Sequence, residues 1–324
     1  MSDRYSRQLV LPEVGAQGQA RLGAASVLVI GAGGLGCAVL QYLVAAGVGR
    51  IVIVDHDRVE ESNLHRQPLF RMSEIGLAKA SAARDSLRQL NPQVAIESIV
   101  ERLSPANVAR LIALAEVVID AADSLAATYI LSDECQRVGK PLVSASVLGL
   151  SGYVGAFCAQ APSYRAVFPE MPRQAGSCSE AGVLGTAVGV MGTFQAHMAL
   201  ALLLRLEPSP LGQLITVDFR TLRFGGFSFE RAPEPPGAAL AFISPEEVAA
   251  RDIVIDLRSL EEAPVSPIAD ALRLRVEDVE RGESRFPAEA RVVLCCRSGV
   301  RAWRAARALQ RQGHRNVALV AFGT

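Results

Sequence analysis

The chain has 324 residues, half of them hydrophobic and a fifth charged, enough apolar material to bury two cores rather than one. Its 33 basic and 33 acidic residues cancel, leaving no net field to draw it to nucleic acid or a membrane surface. The opening MSDRYSRQLV lacks the basic-then-apolar order of a secretion signal, and six irregularly spaced cysteines make no disulfide framework, so the expected setting is cytoplasmic, with reduced thiols.

In chain order, SVLVIGAGGLGCAVLQYLVAAGVGRIVIVDHD predicts a strand from Val27, a glycine turn, an apolar helix and a second strand ending at Asp55, which is one βαβ unit. A polar helix over Lys79–Leu90, a strand in VAIESIV, a helix near Ala106–Leu114, a strand in EVVIDAAD, a helix over Leu125–Val138 and a strand in KPLVSASV continue the alternation. The expected class is α/β: a Rossmann-like, mostly parallel sheet with helices on both faces. From Ala181 to Leu204 no residue is charged, a length that could span a bilayer. Four glycines, Thr186, Thr193, Gln195 and His197 within it, and only Arg205 flanking it, favour a buried helix or a subunit interface.

RAPEPPGAA, residues 231–239, holds three prolines and a glycine and disfavours helix and central strand alike. It is read as a linker between a domain over 1–230 and a small α/β unit over 240–324. In the latter SPEEVAA predicts a helix, with Ser244 as cap, Pro245 at its first position and Glu247 closing a capping box, while DIVIDLR and ARVVLCC predict strands.

Gly31, Gly33 and Gly36 form Gly-x-Gly-x-x-Gly between strand and helix, with Asp55 closing the next strand. Glycines let the backbone approach phosphate, the helix start offers unpaired N–H groups, and the carboxylate can accept ribose hydroxyls. Taken alone this fits an NAD-linked oxidoreductase equally well, and a turn that merely packs helix on strand is the plainer alternative.

RYSRQ (Arg4 to Gln8), SNLHRQ (Ser62 to Gln67), Lys79 at a helix start and DAADS (Asp120 to Ser124), in this order around the glycine turn, resemble the ubiquitin-activating-like, MoeB/ThiF-type adenylating family over roughly residues 4 to 225. The resemblance implies ATP with Mg2+ as cofactors and a homodimer. It makes Arg66 and Lys79 the charges on the triphosphate, has Asn63 and Gln67 position the phosphates, gives Asp55 the ribose and Asp123 the magnesium, and sends Arg7 into the neighbouring subunit's site. Gly34, Asp57, Ser62 and Ser124 complete the expected nucleotide-contacting set. The implied partner is a small ubiquitin-like sulfur carrier whose C-terminal Gly-Gly becomes an acyl-adenylate. Attack of a carboxylate on a phosphate brings anions together, which is why cations and a metal-holding acid belong in one site.

Relatives of that family commonly hold zinc in two Cys-x-x-Cys pairs. Here Ser163 and Ala166 stand where the first pair falls, and no cysteine lies between Cys178 and Cys295, so no zinc is expected. Cys178, in GSCSEAGVLG, matches the family's mobile cysteine and is a candidate for a thioester or disulfide step. Cys37, Cys135 and Cys158 fall in apolar patterns and read as buried hydrophobes.

Near the end, VVLCCRSGVRA resembles the active-site loop of rhodanese-type sulfurtransferases, and IDLR, with Asp256 and Arg258, resembles an earlier motif of that domain. In that register Cys296 carries sulfur, Cys295 ends the strand, and backbone N–H groups with Arg297 and Arg301 stabilise a thiolate or persulfide. Cys295 followed by five residues and Arg301 also spells a cysteine-phosphatase loop, and two buried strand cysteines remain the plainer reading. The implied sulfur donor is a cysteine desulfurase or thiosulfate.

Overall fold

The computed structural model describes residues 3–172, 182–236, 239–283 and 285–323. Its first sheet begins with β1 (Ser26–Ile30), β2 (Arg50–Val54), β3 (Ala95–Ile99), β4 (Val117–Asp120) and β5 (Pro141–Leu148), which pair in parallel in the order β3-β2-β1-β4-β5. Val27, Val29, Ile51 and Ile53 join one apolar core and Leu28, Ile30, Val52 and Val54 another, because successive side chains of a strand point to opposite faces. Both faces are covered, so these strands carry continuous apolar runs.

The first core is closed by α3 (Gly34–Ala46), α4 (Lys79–Leu90) and α8 (Gly185–Leu204), which follow the short α1 (Ser6–Leu9) and α2 (Gly15–Ala24). α8 is long and apolar enough to cross a membrane by length and composition, yet it packs on α3 and β5 as a core helix. A side chain at Gly192 would press on the Leu35 carbonyl at 2.5 Å, so that glycine sets how closely α3 and α8 approach. The second core lies under α5 (Val108–Ala113), α6 (Leu125–Val138) and α7 (Tyr164–Val167).

Three antiparallel strands extend the sheet beyond the expected parallel set: β6 (Ser151–Cys158), β7 (Gln213–Asp218) and β8 (Arg223–Ser228). The chain then crosses to a second, all-parallel sheet of β9 (Ala241–Phe242), β10 (Ile253–Asp256), β11 (Leu272–Arg273), β12 (Val292–Cys296) and β13 (Val317–Ala321), ordered β11-β10-β12-β13-β9, with α9 (Val276–Glu280) and α10 (Val300–Arg311).

Two expected helices differ from those observed. The capping box of Ser244 and Glu247 forms, at 2.7 Å, but SPEEVAA makes one 3-10 turn over Pro245–Glu247, because Val248 turns extended to pack on the third apolar cluster. The helix expected from Ala106 starts at Val108, since Asn107 spends its side chain on Ser104 N–H and Arg102 carbonyl.

The second sheet sits against the α6 face of the first. Trp303 is buried on α10 and meets Tyr129 of α6 at 5.1 Å between rings, while its indole N–H donates to Glu170 at 3.0 Å. Arg165 pairs in bidentate fashion with Asp133 at 2.5 and 2.8 Å, donates to the Leu240 carbonyl and lies over both rings.

Candidate functional site

β1 and β4 are neighbours whose connections run to opposite sides of the sheet, so a crevice opens at their carboxyl ends. Gly31 turns there with φ 98°, donating to the Val54 carbonyl at 2.8 Å, and a Cβ on it would lie 2.6 Å from the Ala121 carbonyl oxygen. A Cβ on Gly36 would lie 2.1 Å from the Gly31 oxygen, and one on Gly34 2.6 Å from Val188. Gly33 caps α3 with no side-chain bond, which leaves the first N–H groups of the helix open to an anion.

Asp55 ends β2 beside this turn. Its carboxylate accepts the N–H groups of Ala32 and Asp57, both at 2.7 Å. Burial raises its pKa above the ordinary carboxylate value, partly offset by those two bonds. Lys79, buried at the first position of α4, is held to Asp57 at 3.1 Å, with His56 on the same carboxylate at 3.1 Å. The 61–63 turn brings up Ser62, bonded to Glu60, and Asn63, which donates to the Ser62 hydroxyl. Arg66 donates to the Ser62 carbonyl at 3.1 Å and lies against His65, its own carbonyl 3.3 Å from where a side chain on Gly34 would begin.

Asn63 and Gln67 are buried, and Oδ1 of the one and Oε1 of the other accept no hydrogen bond from any described residue. Gln67 Nε2 is 3.8 Å from where a Cβ on Gly33 would sit. Buried acceptors without donors cost stability, and a ligand bearing donors could complete the bonding of both. On the far wall Asp123 is exposed, and Ser124 is spent locally: it caps α6 by accepting the Ala127 N–H. These residues fit ATP and magnesium, with Asp123 the carboxylate open to hold the metal. Arg7 is not brought to this crevice. It lies on α1, exposed and without a hydrogen-bond or ion-pair partner among the described residues, next to Tyr5, which packs on Gly47 at the far end of α3.

Asp120, quoted in the sequence but given no role there, is the floor of the crevice. Fully buried, it accepts the Thr128 hydroxyl at 2.6 Å, the Ser144 hydroxyl at 2.8 Å and the Ala122 N–H, and its carbonyl takes Gln195 at 2.6 Å. Burial pushes its pKa up to about 6 against the pull of those donors. It ties β4, β5, α6 and α8 beneath the loop that carries Asp123.

The alternation of β12 separates the two adjacent cysteines. Cys295 points into the apolar cluster of Val254, Val293 and Val320, and burial pushes its thiol up to about 12. Cys296, and not Cys295 as the sequence suggested, is the last residue of β12, paired with Ala321, and its Sγ turns to the following loop, accepting the N–H groups of Gly299 at 3.1 Å and Ala302 at 3.4 Å. As expected, backbone N–H groups and Arg301 favour the thiolate of Cys296, but the residue is fully buried and burial raises its pKa by more than they lower it. Arg301 is itself engaged, donating to Glu262 at 2.5 Å and to the Leu257 carbonyl at 3.0 Å. Glu262 was not foreseen, because only the folded 257–263 loop brings it to Arg301. A cavity of about 400 Å³ beside this loop is lined by Arg258, Arg273, Arg275 and Arg301 together with Glu277 and Asp278, the last paired with Arg275. A larger one, about 600 Å³, lies on the other side of the sheet's strand ends near Arg21 and Glu116 and holds none of the candidate residues.

Cys37, Cys135 and Cys158 are buried; Cys178 lies outside the described residues. Ser163 donates its N–H and its hydroxyl to Glu234 at 2.7 and 2.6 Å. With a serine and the methyl of Ala166 there, this position does not fit a tetrahedral thiolate site.

A glycine turn, a buried lysine and an open carboxylate around one switch point define a nucleotide-handling protein of the Rossmann-like α/β class. The ThiF family model matches residues 5–236, and the chain belongs to the ThiF family. It is 42% identical over 242 residues to the sulfur carrier protein adenylyltransferase of Thermus thermophilus, a match covering 72% of this chain and 89% of that one. It is 46% identical over 218 residues to the adenylyltransferase and sulfurtransferase MOCS3 of Sus scrofa, covering 66% of this chain and 48% of that protein, so the match spans about half of the longer relative. To the SAMP-activating enzyme E1 of Haloferax volcanii it is 39% identical over 236 residues, 72% of this chain and 87% of that one. Escherichia coli MccB, solved with ATP, shares the fold at a TM-score of 0.63 and 20% identity over 71% of this chain and 72% of that one.

Proposed function

We propose that residues 1–230 use ATP to adenylate the C-terminal Gly-Gly carboxylate of a small ubiquitin-like sulfur carrier, and that residues 240–324 then supply sulfur from Cys296 to make its thiocarboxylate. The observation that carries the first half is the pair of buried acceptors, Asn63 Oδ1 and Gln67 Oε1, that find no donor among the described residues, on a turn whose Gln67 amide lies 3.8 Å from where a Cβ on Gly33 would sit. Adenylation drives a carboxylate onto the α-phosphate and expels pyrophosphate. The N-terminus of α3 cradles the phosphates, Arg66 and Lys79 offset the charge that builds there, Asp55 takes the ribose hydroxyls, and Asp123 holds magnesium, which supplies Lewis-acid neutralisation when bound. The ion pair with Asp57 holds Lys79 in place, and its ammonium has further N–H donors to offer a phosphate. Arg7 serves the site of a second subunit in a homodimer.

ATP–pyrophosphate exchange dependent on the carrier tests this: Asp123→Ala is expected to lower exchange by at least about 100-fold, and exchange that persists in the variant contradicts the role. For the second half, the sulfur comes from thiosulfate or from a desulfurase persulfide; the cavity beside Arg301 sets four arginines against Glu277 and Asp278, a lining of net positive charge. The burial of Cys296 favours a second reading, a carrier-binding protein whose tail no longer moves sulfur. Sulfur loading from thiosulfate or a desulfurase that is unchanged in Cys296→Ser would support that reading.

A further inference from the structure

Resting on the sulfur-transfer reading above, we infer that the thiol loop serves the nucleotide crevice of its own chain, from a tail docked beside it, and not that of a second copy. The two sites share a wall. Gly31 abuts Ala121 at the start of the loop that carries Asp123, and that loop ends in the Ser124 cap of α6. Ala126, the second residue of α6, has its Cβ 3.4 Å from where a side chain on Gly299 would begin, and the Gly299 N–H holds the Cys296 sulfur at 3.1 Å. On the other flank Arg102, just beyond β3 at the same carboxyl edge, packs on Gly323, whose N–H donates to the Arg297 carbonyl at 2.8 Å. Of the loop, Arg297 and Ser298 are exposed.

The docking is a packed interface. Trp303, Tyr129 and Phe242 are buried in one apolar cluster with residues of both sheets, Arg165 reaches the Leu240 carbonyl, and Glu170 binds both Trp303 and Arg307. A tail that swung to another molecule would have to expose these rings, leave Glu170 without Trp303 and Arg307, and take the Leu240 carbonyl from Arg165, which would keep only Asp133.

With sulfur on Cys296, the terminal sulfur anion attacks the acyl carbon of the adenylate. The C–S bond forms as the C–O bond to AMP breaks, and AMP leaves with the bonding pair. An added dithiol then attacks the Cys296 sulfur; the S–S pair passes to the outer sulfur, which departs as the thiocarboxylate, and the second thiol frees Cys296 as the reductant closes to its own disulfide.

The test combines two defective chains. Asp123→Ala lacks the metal-holding acid and Cys296→Ser lacks the thiol; the two are co-expressed with different tags, purified through both, and given carrier, ATP, magnesium, thiosulfate and dithiothreitol. The mixed species is expected to form thiocarboxylate at less than about one hundredth of the wild-type rate, the scale on which loss of a nucleophile reads out. Recovery to about a tenth or more of wild type would mean that one chain's thiol reaches another's adenylate, and the inference fails. Wild-type exchange and sulfur loading are measured alongside: a wild-type chain that does both yet makes no thiocarboxylate also overturns the inference, whereas one that loads no sulfur overturns the reading beneath it.

Discussion

Asp120 and Asp123 are three residues apart, and their environments divide the labour. Asp123 is exposed at the crevice, while Asp120 is sealed under it with Thr128, Ser144 and Ala122 as donors. The Asp120 carboxyl is raised from 3.8 to about 6, so its contribution to stability is full below about pH 4 and is lost as pH rises through 6. Two pKa units correspond to about 3 kcal/mol. Asp120→Asn removes that slope, so the difference in unfolding free energy should shift in favour of the variant by up to about 3 kcal/mol between pH 4 and pH 7, measured by urea denaturation. A flat difference would mean that the carboxyl is not buried as described. Gln67→Met makes the opposite separation, of binding from folding: removing an unpartnered buried oxygen should leave stability unchanged or raise it by about 1 kcal/mol, while ATP affinity falls about tenfold in a calorimetric titration. The resemblance had already given Asp123 the magnesium and Gln67 the phosphates, but it gave Asp120 no role, because the hydroxyls of Thr128 and Ser144 reach that carboxylate only in the folded chain; Glu234 on Ser163 and Glu262 on Arg301 were hidden for the same reason.

The glycine turn is the most legible element because its constraint is local. A Cβ on Gly36 would overlap the Gly31 carbonyl, so Gly36→Ala must open the β1–α3 turn. We expect it to cost at least about 3 kcal/mol and to abolish nucleotide binding, read by thermal unfolding with and without ATP. The helices α4 and α6 fall on Lys79–Leu90 and Leu125–Val138, as their patterns predict. The antiparallel run β6–β8 was not read: β6 and β8 carry internal glycines, and β8, RFGGFS, is exposed along its whole length and so lacks a buried face to set a period. SPEEVAA shows the converse, since a capping box fixes where a turn starts and tertiary packing of Val248 decides how far it runs.

On the scale of the molecule, two sheets of different size meet along α6, and the start of that helix separates the glycine turn from the thiol loop. Residues of both sheets fill one apolar cluster, so the tail is part of the fold and not an appended bead. The change of composition at 231–239 pointed to two units, but the sequence carried no sign of how they meet, because Trp303, Arg165 and Glu170 pair only across the folded interface. In the proposed reaction the crevice makes a protein's terminal carboxylate reactive and the loop replaces its oxygen with sulfur. The most direct measurement is the intact mass of a diglycine-ended carrier after incubation with this protein, ATP, magnesium, thiosulfate and dithiothreitol. The carrier is expected to gain the mass difference between sulfur and oxygen, dependent on ATP and absent with Cys296→Ser. A carrier that returns at its original mass, with no ATP consumed, would contradict it.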